Sequence, residues 1–129
     1  MTEGAPQTLM WVNDELAATL QEARHALEEH IEGRGDEQTL GRCADRLHQI
    51  YGALRMVEVH GASLLAEEME LVTRELTRAD LPKEVREEAL EALGRAMVQL
   101  PVYMERVISG GRDIPLVLLP LLNELRAVR

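Results

Sequence analysis

The chain has 129 residues, enough for one domain with its own core and too few for two comfortable ones. Its 23 Asp and Glu outnumber 14 Lys and Arg, a formal charge of −9, which argues against a nucleic-acid surface because phosphate binding needs clustered cations. Hydrophobic content is 46% with aromatics at only 2%, so the core must be aliphatic, and the single Cys43 excludes a disulfide framework and fits a reducing compartment.

Residues 1–7 hold Gly4 and Pro6 among polar neighbours and are expected to form a flexible N-terminus. From about Thr8 to Ile31, the residues Leu9, Val12, Leu16, Leu20, Ala23, Leu27 and Ile31 trace one helical face, with Trp11 expected to pack beside them in preference to the alternative, an exposed contact. Gly33-Arg34-Gly35-Asp36 stops that helix. A second helix, about Glu37 to Val57, turns Leu40, Cys43, Leu47, Ile50, Leu54 and Val57 inward. His60-Gly61-Ala62 reads as a tight corner in which His60 hydrogen-bonds, and Leu64, Leu65, Met69, Val72 and Leu76 make a third helix.

Asp80 is the expected N-cap of a fourth helix and Pro82 its first-turn residue. Val85, Ala89, Leu93, Ala96, Leu100 and Val107 face inward along it, and Pro101 predicts a kink near Met97. After Gly110-Gly111, Asp113 and Pro115 open a short last helix to about Ala127, disturbed by Pro120. Met56, Met69, Met97 and Met104 read as core filling. The expected fold is all-α: an antiparallel four-helix bundle over residues 8–109, with a C-terminal helix at 110–129 that caps it or leads to further domains of a longer protein.

No segment reads as a signal peptide, and the longest apolar run, Ile114 to Leu122, is broken by two prolines and far short of the roughly 20 residues a membrane span requires. A cytoplasmic protein with no membrane span is expected. The histidines make no metal site by spacing, since His25 and His30 are five apart, and exposed Glu22, His25 and Glu29 read as solvated surface. No glycine-rich phosphate cradle or nucleophile–base arrangement occurs, so neither metal nor cofactor is expected.

His48 is what remains. At about 100° per residue it falls well off the apolar stripe of the second helix, and Gly52 lies one turn further along the same side. A neutral imidazole held in solvent can accept a phosphoryl group as a phosphoramidate, given a clear approach and a donor or cation near the phosphate oxygens.

The order His48-x-x-Tyr51-Gly52 resembles the H-x-x-K-G signature of histidine phosphotransfer domains, and Arg55-Met56-Val57, Leu65-Ala66 and Met69-Glu70 continue the match over about residues 8–108. Leu54 to Glu58, Gly61 to Glu70, Arg112 to Leu116 and Leu121 to Arg126 are most similar to the N-terminal domain of the chemotaxis-like hybrid sensor kinases that govern type IV pili and twitching motility. The resemblance implies a phosphorelay role in a two-component system. His48 would accept the phosphoryl group from an ATP-binding histidine kinase core and pass it to a response-regulator receiver domain. Gly52 would admit the partner, Tyr51 and Arg55 would touch the phosphate oxygens, and Asp45, Gln49 and Gly41 would lie in the docking face. Tyr51 stands where the family has lysine, and Glu58 where it often has a small residue. Relatives that keep the bundle and lose the chemistry give the alternative, a phosphorylation-inert docking module.

Overall fold

The aliphatic stripes merge into one core. The computed structural model describes the backbone of residues 4–129 and side chains from Met10 onward. Four long helices follow one another: α1 (Gly4–Ile31), α2 (Thr39–Met56), α3 (His60–Glu75) and α4 (Lys83–Ile108). A 3₁₀ turn (Pro115–Leu118) then leads into α5 (Leu119–Ala127), and the described residues contain no strand. The fold is therefore the expected helical bundle with a short C-terminal helix.

Cross-helix pairs give the directions. Arg46 Nε meets Glu22 Oε2 at 2.6 Å between α1 and α2, and His48 and Asp45 of α2 meet Glu70 and Arg74 of α3. Between α2 and α3 one number rises as the other falls, 48 with 70 and 45 with 74, so those two helices run antiparallel, the direction that short connections also favour for the rest of the bundle. Leu47, Ile50, Leu54, Leu65, Met69, Leu93, Met97 and Leu100 are almost wholly buried between them. Cys43 is in the same core, where burial pushes its thiol up to about 12 and leaves it an inert hydrophobe.

Several expectations are corrected. Helix α1 begins at Gly4, not Thr8, because Pro6 sits in the first turn, where a missing N–H breaks no hydrogen bond. Residues 1–3 and the Leu9 side chain lie outside the described residues. Trp11 is 82% exposed, not packed. It lies roughly 140–180° around the helix from Leu16 and Leu20, on the opposite face. Met56, expected as core filling, is 85% exposed in the last turn of α2, and Ile31 is exposed at the end of α1.

The N-terminus of α4 is also different. Asp80 does not cap it: Pro82 holds that position, and Asp80 instead accepts from Arg78 at 3.2 and 3.1 Å. Pro120, expected to disturb the last helix, lies in the first turn of α5 and starts it. Asp113 precedes that segment without capping it, since Ile114 holds the position before the 3₁₀ turn. Its carboxylate accepts from the Gly61 backbone N–H through both oxygens at 3.2 Å, and from the Tyr103 hydroxyl. Asp113 thus caps α3 from 52 residues away, satisfying an N-terminal amide that has no partner within its own helix. His60, expected to hydrogen-bond in that corner, is exposed and makes no such bond among the described residues.

Candidate functional site

On α2 the residues Gly41, Asp45, His48 and Gly52 are spaced four, three and four apart, so they fall within about 60° of one another on one face. The buried row Leu40, Cys43, Leu47, Ile50 and Leu54 turns this face outward. His48 projects from it with its side chain 64% exposed. A Cβ built on Gly41 or Gly52 meets nothing within 4 Å, so both flanks of the histidine are open.

Helix α3 supplies the other half. Its Leu65, Met69 and Val72 pack inward, which brings Glu70 to the α2 seam with its side chain only 13% exposed. His48 Nδ1 lies 3.0 Å from Glu70 Oε1, and Arg74 Nε donates to Glu70 Oε2 at 2.9 Å. Arg74 Nη2 reaches Asp45 Oδ1 at 3.4 Å, closing a polar row Asp45–Arg74–Glu70–His48 across the two helices. A carboxylate only accepts, so the pair sets the proton on Nδ1 and fixes the ring plane, with Nε2 turned to solvent.

Tyr51 and Arg55 form a separate pair. Arg55 Nη1 donates to the Tyr51 hydroxyl at 3.1 Å, and its guanidinium carbon lies 5.7 Å from the Tyr51 ring centroid. The Tyr51 ring is tilted toward His48, centroids 6.2 Å apart. Gln49 is exposed at the edge of the face.

Sequence reasoning placed His48 and Gly52 on one open side but missed Glu70 as the partner of His48 and Arg74 as the link to Asp45. The Glu70-to-Arg74 spacing of four is a legible helix pair; its meeting with α2 depends on the register between the helices, which no single-helix pattern contains.

The arrangement is unfavourable to a phosphoryl group. Arg74 is paired with the carboxylates of Glu70 and Asp45, Arg55 donates to the Tyr51 hydroxyl at the edge of the face, and the immediate neighbour of His48 is a carboxylate. A phosphorylated imidazole would set added negative charge beside Glu70 on a chain of net charge −9.

Among curated proteins, a relative from Pseudomonas aeruginosa strain PAO1 named "Scaffold protein FimL" is 40% identical over 130 residues. The match takes in 98% of this chain and 22% of that relative's length. No solved structure matches the chain significantly. A relative named for scaffolding overturns the reading of His48 as a phosphoryl carrier between kinase and receiver, in agreement with a tyrosine in place of lysine at position 51. The sequence pattern of the FimL C-terminal domain matches residues 5–119, nearly the whole bundle and the start of the last helix, so the chain belongs to the FimL C-terminal domain family.

Proposed function

We propose that this domain is a protein-docking module of a scaffold in type IV pilus signalling in the cytoplasm, and that the α2–α3 face around His48 is its contact surface. The observation that carries the reading is the shape of that face: a polar row joined by two Arg74–carboxylate ion pairs and the His48–Glu70 contact, set between two glycines with open space above them. Side chains already fixed in the free domain lose little freedom on binding, so such a row docks at low entropic cost. Glycine at 41 and 52 lets a partner backbone approach closely, and in a helix interior it costs about 1 kcal/mol against alanine, which favours a reason for its presence.

In this reading His48, Asp45 and Gln49 are contact residues, and Tyr51 and Arg55 form one edge. A receiver-type or kinase-derived domain remains the natural class of partner, met as a docking surface without phosphoryl exchange. The described residues include no helix long and apolar enough to cross a membrane, which suits a module that works by binding other proteins.

Complementation of a strain lacking the gene separates docking from chemistry. His48→Gln, which keeps size and hydrogen bonding, should leave twitching motility near wild type. Gly52→Trp, whose side chain enters open space and should leave the circular dichroism of the fold unchanged, should reduce it severely. Loss of motility with His48→Gln and normal motility with Gly52→Trp would sink the docking reading.

A further inference from the structure

A second surface, lined by residues other than those around His48, lies between α4 and α5. Helices α4 and α5 run antiparallel with a crevice between them, because Val98 shares a cleft with Val117 and Pro120 while Glu88 and Glu91 share one with Ala127 and Val128. The first cleft, about 550 Å³, is lined by Gly94, Val98, Val117, Pro120 and Leu121; the second is about 230 Å³. Arg95 Nε bonds Glu124 Oε2 at 3.0 Å where the two meet. One half of the crevice is therefore aliphatic and the other acidic.

Val102, Leu116 and Leu119, which are close in sequence to the lining residues Val98, Val117 and Pro120, are exposed as well, and exposed apolar surface of this kind marks an interaction site. Gly94, Val98 and Val102 follow one another at spacing four, a ridge low enough at Gly94 for another helix to lie against it. The acidic half is uncompensated: Glu88 and Glu91 pair with no cation among the described residues, and Arg95 is held by Glu124. Glu91 precedes Val98 by seven residues, about 10 Å along the same face.

We infer that the α4–α5 crevice seats an amphipathic helix of a partner protein that carries aliphatic anchors and, about two turns away, Lys or Arg. Charge selects this occupant. A second copy would bring another chain of net charge −9 against Glu88 and Glu91, and anionic lipid headgroups would meet the same repulsion. A basic helix satisfies both halves at once, its aliphatic face in the cleft and its cations on the free glutamates. The inference rests on the docking reading above and adds to it a second surface with its own partner chemistry.

The test titrates the full chain with a synthetic amphipathic helix of Leu and Lys, and with its Leu and Glu counterpart, followed by amide NMR shifts. The Lys helix should bind saturably and move Gly94, Val98, Val117 and Leu121, and the Glu helix should not bind. Gly94→Leu fills the cleft from a position whose Cβ meets nothing within 4 Å, so the fold is kept. It changes no charge, yet should weaken the Lys helix at least about tenfold, as loss of a central anchor site does. Glu88→Gln with Glu91→Gln should weaken it further and flatten its salt dependence.

Absence of saturable binding, shifts confined to the α2–α3 face, or affinity untouched by Gly94→Leu would each overturn the inference. So would a wild-type dimer in sedimentation, or binding to anionic vesicles, that Gly94→Leu abolishes. The docking reading is judged separately, by motility of the Gly52→Trp strain, so a crevice that fails here leaves that reading standing.

Discussion

Gly61 shows how much one missing side chain can decide. A Cβ there would sit 2.7 Å from Asp113 Oδ1, 2.9 Å from the Tyr103 hydroxyl and 3.2 Å from the Pro115 backbone. The first two can swing aside only by giving up the cap on α3, and the third is main chain. Gly61→Ala should therefore destabilise the domain by about 2 kcal/mol through overpacking and loss of the cap, read as a lower urea midpoint at unchanged slope. Wild-type stability in this variant would mean that the Asp113 contact contributes nothing. The break between α2 and α3 was legible, but it falls at residues 57–59, and the expected corner at 60–62 is the first turn of α3. The cap on that turn was not legible, since Asp113 arrives from 52 positions away and sequence pattern reads only neighbours. The same blindness assigned His60 a bond it does not make, and made Trp11 and Met56 core residues on type alone when their helical angle or end position turns them to water. Among the described residues Glu58, at φ +62 in the α2–α3 junction, bears local strain, since it occupies a left-handed conformation that asparagine or glycine adopts more readily.

At the level of elements, α5 is the part whose attachment sequence reading left open, as a cap on the bundle or a lead into something else. The structure joins it to α3. Leu118, Leu122, Leu125 and Val128 are buried, and Arg126 and Arg129 both reach Glu68, whose side chain is only 5% exposed. Arg129 donates through Nε at 2.8 Å and Nη2 at 2.9 Å, and Arg126 Nε at 3.2 Å. Arg126 and Arg129 lie three apart and so share a face, but Glu68 sits in the acidic run Glu67-Glu68-Met69-Glu70, where nothing local marks the one glutamate that is buried. Burial alone would raise the Glu68 carboxyl above its ordinary 4.5, yet the two guanidiniums outweigh it and hold it lower. A carboxyl lowered in the folded state stabilises above its unfolded value and loses that contribution as pH falls through the folded one. Wild type should therefore exceed Glu68→Gln in stability by a constant gap above about pH 5, and the gap should close as pH drops below 4.5, seen in paired thermal melts. A gap that persists at pH 2 would show that Glu68 acts through packing and not through its charge.

For the whole molecule, the 3.6-residue rhythm disclosed which residues build the core, because an aliphatic stripe needs only its own helix to be seen. What it could not disclose is how well the stripes fit together. Pro101, exposed on α4, interrupts the hydrogen-bond ladder of that helix, and next to it the bundle is not filled. A cleft of about 130 Å³ opens there between α1, α2 and α4, walled by Leu16, Leu20, Ile50, Leu54, Leu100 and Met104, with Ala17 at its mouth. The lining side chains lack contact partners on that side, and dispersion falls steeply with even a small gap. A larger residue at the mouth can reach in without displacing the core, unlike one placed among the buried leucines, where overpacking would follow. Ala17→Leu should therefore stabilise the domain by about 1 kcal/mol, the range of cavity-filling changes, and raise the midpoint of thermal unfolding by several degrees for a chain of this size. The α2–α3 face and the α4–α5 crevice are lined by other residues, so motility and peptide binding should not change with it. A lowered midpoint would mean that the Leu side chain strains the α1–α4 seam, and that the space beside Pro101 is held open by the geometry of the helices and not by a shortage of side-chain volume.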